Sequence, residues 1–163
     1  MRSHIWLIGL LDKTWQKYFA DIECINDVSI VFGRNAKRRL GSIRQVAPRD
    51  KNSRTIITIT GYFRDENVPE YIVTSTIAHE LCHYAHGFAS PHPKYSRHPH
   101  HGGIVDIELK NRGLGDQLKG QKLWLKQEWP KVIGETNMVR RRRVRKQTFS
   151  LRNWLISLSK ELL

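Results

Sequence analysis

The chain has 163 residues, 28 basic and 15 acidic, for a net charge of +13. That length suits about one domain with its own core, and two cysteines, Cys24 and Cys82, exclude a disulfide framework. The N-terminal apolar run, Ile5 to Leu11, contains Gly9 and is far too short to span a membrane.

That run lacks the small-residue cleavage site of a secretory leader. The apolar pattern continues instead through Ile8, Leu11, Trp15, Tyr18 and Ile22, at alternating spacings of three and four. One amphipathic helix and cytoplasmic residence are expected. Three strands are predicted next: Val28 to Phe32, Leu40 to Val46, and the β-branched Thr55-Ile56-Ile57-Thr58-Ile59-Thr60. The basic stretches Gly33 to Arg39 and Ala47 to Arg54 read as turns of an antiparallel meander. A helix packed on one face of that sheet makes an α+β domain.

Glu70 to Ala85 has helical character, with Ile72, Val73, Ile77, Ala78, Leu81 and Ala85 apolar. Asn67 and Glu70 suit a capping box, Pro69 suits the first turn, and Gly87 suits a stop. Inside this helix lies His79-Glu80-Leu81-Cys82-His83. Two histidines four apart share a helix face and can reach one Zn²⁺. Glu80 can stand beside the metal without ligating it and take a proton from a metal-activated water, the chemistry of a metal-dependent peptidase. Cys82 reads as a small core residue.

A catalytic zinc site has three protein ligands, so a third must come from downstream. His86 lies close behind His83 at the expected helix end, and His92 and His98 sit among prolines and basic residues as solvated loop residues. His101 precedes Gly102-Gly103 and an amphipathic stretch from Ile104 to Leu109. A histidine at the mouth of a second helix can return to the first. His101 is the favoured third ligand, with His100 and Glu108 as alternatives.

The order HExxH, loop, then His101-Gly102 opening a helix resembles the SprT-like zinc metallopeptidases. Leu40-Gly41-Ser42-Ile43 resembles a strand of that family, and Thr55 to Thr60 the strand before its active-site helix. The resemblance covers about residues 4 to 115. It implies a zincin domain over 1–115 with Zn²⁺ on His79, His83 and His101, Glu80 as catalytic base, and cleavage of proteins associated with DNA. No cysteine follows Cys82, so the zinc ribbon of many such proteins is not expected in these residues. The metzincin extension requires histidine at position 89, where this chain has Ala89.

Residues 110–163 carry 14 basic and 4 acidic side chains, against 14 and 11 over residues 1–109. Arg140, Arg141, Arg142, Arg143, Arg145 and Lys146 crowd into one run, whose natural partner is the phosphate backbone of nucleic acid, without sequence readout. Leu114 to Val132 reads as a helix broken at Pro130. Leu151, Trp154, Leu155, Leu158 and Leu162 mark a last amphipathic helix. Residues 116–163 are thus expected to form a basic helical extension packed on the same domain. Two other readings share these motifs: a nucleic-acid-binding protein whose zinc supports the fold without turnover, and a gluzincin-type peptidase using Glu108.

Overall fold

A computed structural model describes residues 1–50, 53–95, 97–98 and 101–134, with the backbone alone at His101. The chain divides into two compact units, Met1–Leu123 and Trp124–Leu163. The first is an α+β unit. Helix α1 (His4–Tyr18) leads to strands β1 (Asp27–Phe32), β2 (Gly41–Val46) and β3 (Arg54–Ile59). The long helix α2 (Glu70–Ala85), the short α3 (Ile104–Asn111) and α4 (Gly115–Gln127) follow.

Helix α1 starts where the Ser3 hydroxyl accepts from the Trp6 N–H at 3.1 Å. It ends at Tyr18, one turn earlier than the apolar pattern predicts, and Ile22 lies beyond it. Its buried face is Leu7, Leu10, Leu11 and Thr14, while Ile5 and Ile8 are 82% and 49% exposed. The stripe is therefore turned by about one position from the expected one, because two adjacent leucines bury more apolar area than Ile8 can.

The sheet is mixed, in the order β1-β3-β2. Strand β3 pairs parallel with β1, Ile30 beside Ile57, and antiparallel with β2, Ser42 beside Thr58. The expected all-antiparallel meander is corrected here: the loop after β1 steps past the end of β3, and β2 returns on its far side. The most β-branched strand takes the centre, where both its edges are paired. Thr55, Ile57 and Ile59 face the buried side, and α1 and α2 both contact the sheet. Ile57, Ile59, Phe63, Ile72, Ile77, Leu81 and Leu109 are fully shielded from solvent or nearly so.

Helix α2 has the bounds its sequence predicts, but not the predicted cap. Pro69 is the N-cap and no side chain caps the helix. Asp65 instead accepts the Asn67 N–H at 2.9 Å, which holds Asn67 in the preceding turn. Arg2 secures that turn by donating to the carbonyls of Phe63, Asp65 and Val68. Pro130 does not break the C-terminal helix where expected. The interruption falls at Glu128, and helical structure resumes at 129–134 with Pro130 in its first turn, where a missing N–H is tolerated. In the second unit, Trp124 and Trp129 lie 6.1 Å apart, centroid to centroid. The predicted last helix, Leu151 to Leu162, lies outside the described residues.

Candidate metal centre

The functional side chains project from the last turns of α2, where termination is firmly built. Gly87 adopts φ +68, its N–H donates to the Tyr84 carbonyl at 3.0 Å, and the Phe88 N–H donates to the His83 carbonyl at 2.9 Å. This is a Schellman stop, which needs a left-handed residue and so favours glycine. It also brings the Phe88 ring to 5.4 Å from the His83 imidazole. Tyr84 anchors the same turn: its hydroxyl donates to Asn26 at 2.9 Å and accepts the Ile25 N–H at 3.1 Å. The helix end is thus tied to the chain entering β1.

On this frame the Nε2 atoms of His79 and His83 approach to 3.2 Å. Two nitrogens each about 2.0–2.1 Å from one tetrahedral Zn²⁺ would stand about 3.3 Å apart. The pair therefore fits adjacent corners of a zinc site. A hydrogen bond between one protonated and one bare Nε2 would hold the same distance. His83 is 3% exposed and His79 is half-buried.

Glu80 is 5% exposed. Burial raises its carboxyl to about 7, against the opposing charge of Arg39. A carboxyl poised near neutrality suits a group that takes and returns a proton. Its neighbour on β2, Gly41, was not assigned a role from sequence. A Cβ on Gly41 would come within 2.5 Å of Glu80 Oε1 and 2.9 Å of Thr76 Cγ2. At Gly41, therefore, β2 passes directly against the Glu80 carboxylate. Arg39 was likewise read only as part of a turn. Arg39 has no local signal for such a role, and Gly41 has only its place in the Leu40-Gly41-Ser42-Ile43 resemblance, because both act across the fold.

Cys82 is fully buried, and burial pushes its thiol up to about 12, so it packs as a neutral side chain. Glu108 sits on α3 with its Oε1 accepting from Arg112 Nε at 2.7 Å. Arg112 also forks onto Asp21 at 2.6 and 2.9 Å, and its guanidinium lies over the Phe19 ring. Glu108 is thus part of a clasp between α3 and the chain after α1. Among the described residues, no three His, Cys, Asp or Glu side chains gather as a metal-binding group. His101 opens a short 3₁₀ turn, His101–Gly103, that runs into α3. Gly102 and Gly103 take φ +66 and +69, a backbone that explains the glycine pair. The His101 side chain, His100, and Arg140, Arg141, Arg142, Arg143, Arg145 and Lys146 lie outside the description. No helix among the described residues is long and apolar enough to cross a membrane.

Comparison of the chain with protein-family models, with curated proteins and with solved structures returned no match.

Proposed function

We infer that the protein is a zinc-dependent peptidase of SprT-like type. The observation that carries this reading is the convergence of the His79 and His83 Nε2 atoms at 3.2 Å beside a buried carboxyl on the same helix. His79 and His83 would hold the ion, with His101 as third ligand from the turn before α3. Bound there, Zn²⁺ would supply Lewis acidity toward water and the scissile carbonyl.

The remaining work falls to this chain's own groups. Glu80 takes the proton from the attacking water and passes it to the leaving amine. Its low exposure keeps bulk water from competing for that proton. Strand β2 has β3 on one side only, so its other edge is open among the described residues. An extended peptide can add along such an edge by main-chain hydrogen bonds. At Gly41 that edge passes Glu80, which would bring a bound peptide close to the base. Proteins associated with DNA are the proposed substrates, in keeping with the basic run from Arg140 to Lys146.

The test is metal content set beside hydrolysis of an unstructured protein such as casein. The parent protein should bind about one Zn²⁺, and His79→Ala or His83→Ala should lose most of it. Glu80→Gln should keep the zinc and lose hydrolysis by roughly 10²–10⁴-fold. Undiminished hydrolysis in Glu80→Gln would refute the assignment. Zinc binding without any hydrolysis in the parent would favour a zinc-stabilised nucleic-acid-binding protein instead.

A further inference from the structure

The loop between β1 and β2, Gly33 to Leu40, carries Arg34, Lys37, Arg38 and Arg39 and no acidic residue. All four basic residues are exposed. Arg34, Arg38 and Arg39 form no ion pair among the described residues. Such a cluster repels itself and is stabilised by an external anion.

Its backbone, in contrast, is fastened at several points. The Gly33 N–H donates to the Ile59 carbonyl at 2.8 Å and the Gly61 N–H to the Arg34 carbonyl at 3.0 Å. The Thr60 hydroxyl donates to the Ala36 carbonyl at 2.9 Å and accepts the Ala36 N–H at 3.1 Å. Gly61 fits so closely that a Cβ would come within 2.4 Å of Asn35 Oδ1. The cations therefore stand on a fixed base, which lowers the entropy lost when they take hold of a ligand.

The loop also rims a cavity of about 720 Å³, lined further by Ser42 and Thr58, neighbours across β2 and β3. Its lining has four cations and no carboxylate. Three of the four are arginines, whose planar forks match phosphate oxygens. No aromatic side chain lines it, so bases would find no stacking platform, and recognition would rest on the backbone.

We propose that the Gly33–Leu40 loop and the cavity beneath it dock the phosphodiester backbone of a single-stranded nucleic acid through Arg34, Lys37, Arg38 and Arg39. A single strand is flexible enough to follow a concave surface with successive phosphates, whereas a duplex is stiff over tens of base pairs. An acidic peptide is the poorer fit, because its charges are irregularly spaced, whereas a phosphate recurs at every nucleotide. This surface is separate from the Arg140–Lys146 run, and it requires neither zinc nor hydrolysis. Arg39 also brings it within electrostatic range of Glu80, so a strand docked here would hold an attached protein beside β2.

The test is anisotropy of a labelled, mixed-sequence single-stranded DNA with the full chain over a series of salt concentrations. One variant combines Arg34→Gln, Lys37→Gln, Arg38→Gln and Arg39→Gln. A charge-matched control combines Lys13→Gln, Lys17→Gln, Lys110→Gln and Lys119→Gln, all exposed positions. Each lost phosphate contact should flatten the slope of log K against log salt by about 0.7, so the loop variant should lose up to about three units. The control should lose less than about a third of that, and a second sequence should bind alike. Equal losses in loop variant and control, or an unchanged slope in the loop variant, would overturn the proposal. So would a poly-glutamate peptide that competes as well as DNA at equal charge. Should the quadruple variant not fold, Arg38→Gln alone should lower the slope by about 0.7, and Arg38→Lys should retain it.

Discussion

The C-terminal half of α2 keeps its chemical groups buried, whereas the Gly33–Leu40 loop holds its own out in solvent. On α2, His83 and Glu80 are almost wholly shielded, and a Schellman stop and the Tyr84 anchor fix the turn that carries them. On the loop the backbone is fastened and the charges are left exposed. Burial serves a group whose task is to shift a proton, because a low local dielectric moves its pKa toward neutrality. Exposure serves groups whose task is to meet a polyanion, because their field then reaches into solvent. The two regions meet at Gly41, with Arg39 two positions before it and Glu80 against it.

The largest expected effect tests how the α2 side is completed. His101→Ala should weaken zinc binding by more than about 100-fold, beyond the 10–100-fold usual for a group that merely supports a ligand. Glu108→Gln should stay within a few-fold, because its carboxylate is engaged with Arg112 rather than with the histidine pair. Zinc titration against a competing chelator reads both. The opposite order would move the third ligand to α3 and make the site gluzincin-like.

Next comes the buried acid itself. In zinc-free protein the Glu80 carboxyl sits at about 7, against an ordinary value of 4.5. The folded state therefore holds a proton that the unfolded chain releases at lower pH. Between these values the native state binds more protons, so stability falls as pH rises from about 4.5 to about 7, by roughly 3 kcal/mol. Urea unfolding of zinc-free protein across that range should reveal the decline, and Glu80→Gln should remove most of it. A parent protein as stable at pH 7 as at pH 5 would mean that Glu80 is better solvated than its burial implies.

Gly41→Ala probes the boundary between the two regions. The added methyl would meet Glu80 Oε1 and Thr76 Cγ2, and either β2 or the carboxylate must move. An overpacked contact of this kind costs about 1–3 kcal/mol. If the carboxylate yields, kcat should fall by about 10–100-fold with zinc content unchanged, since the histidines are not displaced. A loss of stability without a fall in kcat would mean that β2 retreats and Glu80 stays in place.

What was legible in the sequence follows the range of each interaction. The bounds of α2 could be read because Pro69 and Gly87 are local backbone signals and because apolar spacing reports the buried face. The three strands could be read from their β-branched residues, but their order could not. Alternation fixes which face a residue takes, not which strand lies beside it. The Asn67 cap failed because Asp65 competes for the Asn67 N–H. The pairing of His79 with His83 follows from helix pitch alone. Arg39 had no local signature, and Gly41 only its place in the Leu40-Gly41-Ser42-Ile43 resemblance, since the importance of both lies in a carboxylate far along the chain.

The smallest effect asks whether the loop influences the chemistry on α2. The charge of Arg39 opposes the burial that raises the Glu80 carboxyl. Removing it by Arg39→Gln should therefore raise that carboxyl further. A base must be deprotonated in the free enzyme, so the acidic limb of kcat/KM against pH should move to higher pH, with less than a tenfold loss at the plateau. Arg38→Gln, a neighbouring loss of equal charge, should leave the limb nearly in place, because the charge that opposes the burial of Glu80 is that of Arg39. Added salt should shrink the shift only slightly if Arg39 acts through the protein interior, and abolish it if it acts through solvent. An unmoved limb would separate the two regions: the loop would then be a docking surface alone, and the poise of Glu80 would rest on burial.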